Sequence, residues 1–368
     1  MTTPMPIEPQ QPHPQQAPRA ELVAIAENDM AEVANFIAAQ SGRARETVEA
    51  HLRWFLLENP ARQPQDPLGF GLRSADQLVG CILCSPQMFR AEKEKILLMG
   101  SSSFYVDRSH RGYGGRIFLQ YCRLGSRHRL FGTSANPEAA ALWKAAGASP
   151  IPYSDGELFG VLRWPPMVEE VTHRRYRSRL LSSLAASGVS HVAGLFRPFR
   201  IDCSASDALQ PLASAEQVTH LPIDDPCSKL TSARDLPYIR WRYFSGRDAT
   251  VQVFAFRSHL PDREVMVAVN RRPRGYREQI RALHVLDVYP EVPPDEWLRI
   301  VGALVARYRK TVDAVVLRSQ NPEQRSVLCE RGFQWRAFDA PNGWFLDRSG
   351  LLPTRDWYPV PADGDGLI

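Results

Sequence analysis

Cysteine is scarce in this chain, with six in 368 residues at Cys81, Cys84, Cys122, Cys203, Cys227 and Cys329. So thin a scatter excludes a small disulfide-stapled scaffold, and the lack of paired CxxC sets excludes a zinc ribbon, so a reducing, cytoplasmic setting and no metal are expected. No uninterrupted apolar run approaches the ~18 residues of a membrane-spanning helix, and the first residues lack the basic start and apolar core of a secretory signal. Basic residues are not interleaved with aromatics in any recognition pattern for nucleic acid, so no nucleic-acid partner is expected. Residues 1–20 are rich in Pro and Gln, hold almost nothing to bury, and read as a disordered tail.

What is present fits a folded protein. Hydrophobic residues make up 44% and charged residues 23%, enough apolar surface for sizeable cores, and 368 residues suit two domains rather than one. The formal charge of +5, from 45 Lys and Arg against 40 Asp and Glu, favours anionic small ligands.

The first folded unit is expected over residues 21–165. Leu22 to Ile25 reads as a strand, Met30 to Ile37 as an amphipathic helix, and Arg45 to Glu58 as a second helix with Val48, Leu52, Phe55 and Leu56 on one face. The period then changes to strands at Gly69–Leu72, Leu78–Cys84 and Ile96–Val106. Alternation along the second of these sends Cys81 and Cys84 to opposite faces, as small buried strand residues. A Gly-rich loop, Arg111-Gly-Tyr-Gly-Gly115, leads into a helical pattern at Ile117, Phe118, Tyr121 and Leu124. Asn136-Pro-Glu138 then opens a helix, with Asn as cap and Pro in the first turn, which closes at Gly147.

Asn136-Pro137-Glu138 recurs as Asn321-Pro322-Glu323, 185 residues later. At the same offset Ser134 meets Ser319, Gly147 meets Gly332, Leu98 meets Leu283 and Leu119 meets Leu304, which predicts an internal duplication with a second unit over 201–368. The copies differ at the glycine loop. Gly112, Gly114 and Gly115 correspond to Trp297, Arg299 and Ile300, inside what reads as a regular helix after Pro293-Pro294. Side chains at those positions would hold the backbone away from a phosphate, so the second copy is not expected to bind one.

A glycine loop between strand and helix gathers free backbone N–H groups and the positive end of a helix dipole, which suits a pyrophosphate. The rival account is a turn that merely needs positive φ. The order of elements over residues 22–165 resembles the GNAT family of N-acetyltransferases, whose pyrophosphate loop has the form Gln/Arg-x-x-Gly-x-Gly/Ala. Arg111-Gly-Tyr-Gly114 matches its first four positions. The sixth is Arg116, which must swing outward, pair with a phosphate, or block binding.

The resemblance implies an α/β fold of two tandem GNAT-like domains, each a mixed, mainly antiparallel sheet flanked by helices. It implies acetyl-CoA or another acyl-CoA as co-substrate, held by Val106, Arg111, Gly112, Tyr113, Gly114, Gly115, Arg116 and Asn136, with Val106 offering its N–H near the thioester carbonyl. A small-molecule amine (an amino sugar, an amino acid or a simple amine) would attack the thioester directly. For Asn136 a plain capping role stands beside the binding one. No catalytic acid or base is assigned. Trp143 stands where relatives often carry an acidic Tyr, and Ser101, Ser102 and Ser103 stand where they often carry a carboxylate; His110 and Tyr105 are nearby alternatives that also read as loop or packing residues.

In the second half, Trp241 and Tyr243 read as core or interface aromatics, and Asp363 and Asp365 as solvated tail residues. Residues 166–200 read as a basic helical connector, with Arg174, Arg175, Arg177 and Arg179 before Leu180-Leu181, open to a peripheral membrane contact. A homodimer is compatible with this organisation. The competing functional reading is a non-catalytic acyl-CoA-binding or scaffold protein of a surface-polysaccharide pathway, which the missing acid and base favour and the asymmetric glycine loop opposes.

Overall fold

The computed structural model describes residues 19–176 except 92–93, residues 200–350 except 204–206, 221–228, 246–248, 260–263, 276–277 and 319–320, and Trp357. The Pro/Gln-rich tail, the connector beyond Tyr176 with Arg177 and Arg179, Ser319, Asp363 and Asp365 lie outside the described residues.

In the first half the elements are β1 (Glu21–Ala24), α1 (Met30–Ser41), α2 (Arg45–Leu52), β2 (Gly69–Ser74), β3 (Gln77–Ala91), β4 (Glu94–Val106), α3 (Gly114–Arg123), β5 (Arg129–Gly132), α4 (Pro137–Ala145), β6 (Ser149–Pro150), β7 (Gly156–Val161) and α5 (Trp164–Tyr176). A wide helical turn carries α2 on to Leu57. The second half adds β8 (Leu209–Pro211), β9 (Thr231–Ser232), α6 (Leu236–Phe244), β10 (Val251–Arg257), β11 (Glu264–Arg274), β12 (Ile280–Tyr289), α7 (Pro294–Tyr308), β13 (Ala314–Arg318), α8 (Pro322–Glu330), β14 (Gln334–Ala337) and β15 (Trp344–Leu346). Gly42 ends α1 with φ 70°, a left-handed cap that turns the chain into α2.

Two mixed sheets form. The first runs β1-β2-β3-β4-β5-β15-β6, with β9 beside the far end of β3, and the second runs β8-β10-β11-β12-β13-β7-β14. Each is antiparallel except for one parallel pair, β4 with β5 and β12 with β13. This is the mixed, mainly antiparallel architecture expected from the sequence.

The 185-residue offset maps α4 onto α8 residue for residue, and the last residue of α3 onto the last of α7. Both capping asparagines accept from the backbone three residues on, Asn136 from Ala139 N at 2.8 Å and Asn321 from Gln324 N at 2.9 Å. The offset also pairs β15 with β7, and these two strands have changed places: β15 fills the slot between β5 and β6, while β7 fills the slot between β13 and β14. Each sheet therefore takes a strand from the other half of the chain.

The three largest hydrophobic cores follow from this. α3 and α4 cover one face of the first sheet, with Ile117, Phe118, Tyr121 and Trp143 buried; α7 and α8 cover one face of the second, with Trp297, Ile300, Leu304 and Leu328 buried. A shared core lies between the sheets, where Trp54, Phe55 and Leu56 meet Tyr238, Trp241, Tyr243, Met266 and Leu286. Cys81 belongs to the shared core and Cys84 to the α3 face, as strand alternation required.

At the centre of the shared core Trp54 and Trp241 stack with centroids 5.1 Å apart, and each indole Nε1 donates to the other residue's carbonyl at 2.9 Å. Trp54→Phe keeps the stack and leaves the Trp241 carbonyl without that donor, so urea unfolding should show a loss of about 1–2 kcal/mol.

Candidate active site

Strands β4 and β5 pair only over Leu98–Gly100 against Arg129–Phe131. Beyond Gly100, β4 continues to Val106 while the chain after Gly132 turns away into α4, so the sheet splits. A β-bulge reinforces the split, since Tyr105 faces Cys81 but Ser102 faces Leu83, and Ser103 takes a φ of 50°. The split opens a cleft of about 1080 Å³. One wall carries Val106, Arg111, Gly114, Gly115 and Phe118; the strand edges carry Ser101 to Tyr105 and Gly132; α4 adds Asn136, Glu138, Leu142 and Trp143. The opposite wall comes from the end of α1 and from α2.

The glycine loop stands at the mouth of this cleft as a short helical turn, Arg108–Tyr113, that passes into α3 at Gly114. None of Gly112, Gly114 and Gly115 has a positive φ. The turn-chemistry account of these glycines therefore fails. Packing does not require them either: a Cβ on Gly112 or Gly115 would meet nothing within 4 Å, and one on Gly114 would lie 3.9 Å from Val106. Three glycines are spent on space that the fold leaves open. No acidic residue stands in the first turn of α3; the nearest preceding carboxylate, Asp107, caps the turn before it by accepting from Arg108 N, so the positive end of α3 faces that space. An acyl-CoA pyrophosphate fits this cradle in charge and in room.

Of the residues expected from the sequence, Val106, Arg111, Gly114, Gly115 and Asn136 line the cleft, whereas Gly112, Tyr113 and Arg116 border it from outside. Arg116 is exposed and lies over the Tyr113 ring at 5.3 Å, so it does not fill the cleft. The Asn136 side chain is engaged in capping α4. His110 is buried beside Ser109, with Nδ1 and the hydroxyl 2.9 Å apart, and does not line the cleft, whereas Tyr105 does.

Trp143 is buried against Phe118 and Tyr121 and forms the floor. The Tyr121 hydroxyl donates to the Met99 carbonyl at 2.7 Å, and burial pushes its pKa well above the ordinary value, so it serves packing rather than proton transfer. Sequence reasoning missed the α1–α2 wall, with Gln40, Ser41, Arg43, Val48, His51 and Leu52.

The second unit has closed the equivalent place. α7 begins five residues earlier than the repeat would put it, at Pro294, and Trp297 and Ile300 fill the core where Gly112 and Gly115 leave space. The helix supplies its own anion: Glu296 is fully buried, paired with Arg299 at 3.0 Å and with His259. Among the described residues no group of three His, Cys, Asp or Glu is placed to hold a metal, and no helix is long and apolar enough to cross a membrane.

The split sheet, the bulge and the open glycine cradle sit in a fold that solved structures share. The chain is similar to a GCN5-related N-acetyltransferase from Anabaena variabilis, with 12% identity and a TM-score of 0.54 over 89% of this chain and 72% of that one. It is also similar to Saccharomyces cerevisiae N-myristoyltransferase with bound myristoyl-CoA, with 10% identity and a TM-score of 0.55 over 92% of this chain and 80% of that one. No protein-family model and no curated protein sequence matches the chain. The fold is that of the GNAT acyltransferases, built twice in one chain.

Proposed function

We propose that the protein is an acyl-CoA-dependent N-acyltransferase that uses the cleft of its first unit alone. The observation that carries this reading is the open space above Gly112, Gly114 and Gly115, which neither backbone conformation nor packing explains. The N–H groups of residues 112–116 and the Arg111 guanidinium would hold the pyrophosphate. The thioester would then lie along the bulged part of β4, with the Val106 N–H near its carbonyl. Attack by an amine gives a tetrahedral oxyanion that such preorganised donors stabilise, and the CoA thiolate leaves. No covalent enzyme intermediate is required.

The acceptor is a small primary amine. Among the described residues that line the cleft, Glu138 carries the one carboxylate, against the cations Arg43 and Arg111. Such a surface disfavours a polycationic acceptor and suits an amino acid or amino sugar. Calorimetric titration of acetyl-CoA and octanoyl-CoA should show one site per chain, because Glu296 and Trp297 close the second cleft. Thiol release with glucosamine and a set of amino acids then tests transfer. Absence of binding by both thioesters would transfer support to the scaffold reading.

A further inference from the structure

His51 is the side chain that the chemistry lacks elsewhere. It follows Val48 by three residues on α2 and precedes Leu52, so it shares the inward face of that helix, and all three line the cleft wall opposite the glycine loop. Its ring is held in place, stacked on Phe55 with centroids 5.5 Å apart and interplanar angle 22°, and set edge-on to Trp54 at 5.3 Å. Those two aromatics are themselves fixed in the shared core by Trp241. The imidazole is half-buried, and it shares the cleft with the bulged segment of β4, where Ser101, Ser102 and Ser103 offer no carboxylate.

The remaining titratable groups are poorly suited to accept a proton. Arg43 and Arg111 offer guanidinium donors and Tyr105 a phenol, none of them an acceptor of the kind an amine proton needs, and Glu138 is exposed on the first turn of α4, on the side assigned to the donor. Behind the ring, Arg242 of α6 lies over Trp54 at 5.4 Å and over Trp241 at 5.6 Å. An imidazole is the group whose ordinary pKa lets it both take and return a proton near pH 7.

We infer that His51 is the general base of the acyl transfer, an inference that rests on the acyltransferase reading above. As the amine nitrogen bonds to the thioester carbon, its proton passes to the His51 imidazole. The carbon–sulfur bond then breaks, and the imidazolium returns the proton to the departing sulfur or to solvent. The same ring thereby supplies the acid that buried Trp143 does not.

The test follows thiol release from acetyl-CoA with glucosamine, amino acids and hydroxylamine across the neutral pH range, in the wild type and in His51→Gln. Hydroxylamine is largely unprotonated at neutral pH and needs a base least. The expected result is a loss of about 10²–10³ in kcat/KM with ordinary amines, a smaller loss with hydroxylamine, and, with rates taken per unprotonated amine, disappearance of the limb that rises with pH. Acetyl-CoA affinity and Tm should stay near wild type; if Gln weakens the fold, His51→Asn gives a second reading of the same loss. A variant within threefold of wild type with its pH limb intact would overturn the role of His51 alone. A wild type that binds acetyl-CoA and releases no thiol with any amine would overturn the acyltransferase reading and this role with it.

Discussion

Gly114→Trp is expected to abolish acyl-CoA binding, by about 100-fold or more, while leaving the protein folded. The two halves of that result have separate causes. A side chain at residue 114 meets no backbone and no tight contact as it leaves the helix, with Val106 and Phe104 at 3.9 and 4.0 Å from the Cβ, and its φ of −55° is ordinary for any residue. An indole there would occupy the room that a pyrophosphate needs against the first N–H groups of α3. Calorimetry on wild type and variant, with thermal unfolding as control, reads both. Retained micromolar binding by a folded variant would place the donor elsewhere. A variant that fails to fold would show that the glycine serves packing after all.

Asp287→Ala should cost about 3–5 kcal/mol in urea unfolding. Asp287 accepts from Arg234 Nε at 2.8 Å and Nη2 at 3.0 Å, and from the Tyr243 hydroxyl at 2.7 Å, and both charged side chains are completely buried. Arg234 also donates to the Ser232 carbonyl at 2.9 Å and lies over the Tyr289 ring at 4.7 Å. Burial, and next the Asp287 charge, raise the Tyr243 pKa well above its ordinary value, which keeps that phenol a donor. Removal of the carboxylate strands a guanidinium in a dry interior, where an unpaired charge is expensive. Arg234→Met together with Asp287→Leu removes both charges and should recover most of the loss. A single-variant cost under about 1 kcal/mol would mean that water reaches the pair.

Much of the architecture could be read from the sequence because its signals are local. Asn136-Pro137 and Asn321-Pro322 each cap a helix of identical length, and the glycines at 147 and 332 each follow one with positive φ. The same register marked Trp297 and Ile300 as side chains in the place of glycines, and both are core residues. Trp241 and Tyr243, read as core or interface aromatics, are buried between the sheets.

The exchange of β7 and β15 was not legible. A strand's own alternation says which face is apolar but not which edge it joins, and Gly156–Val161 reads equally well beside β5 or β13. The cleft was only half legible for a similar reason. Glycines announce one wall, whereas His51 lies within an ordinary amphipathic pattern, and only the split of β4 from β5 reveals what that face of α2 looks upon.

The exchanged strands also set the order in which the protein can be completed during synthesis. When the ribosome has released everything up to α5, the first sheet still lacks its β15, and the edge of β5 stands bare while the chain from Tyr176 to Trp344 is still being made. An unpaired edge of that kind is a template for wrong partners. The cleft is built on that same strand, so it is finished only when almost the whole chain has emerged.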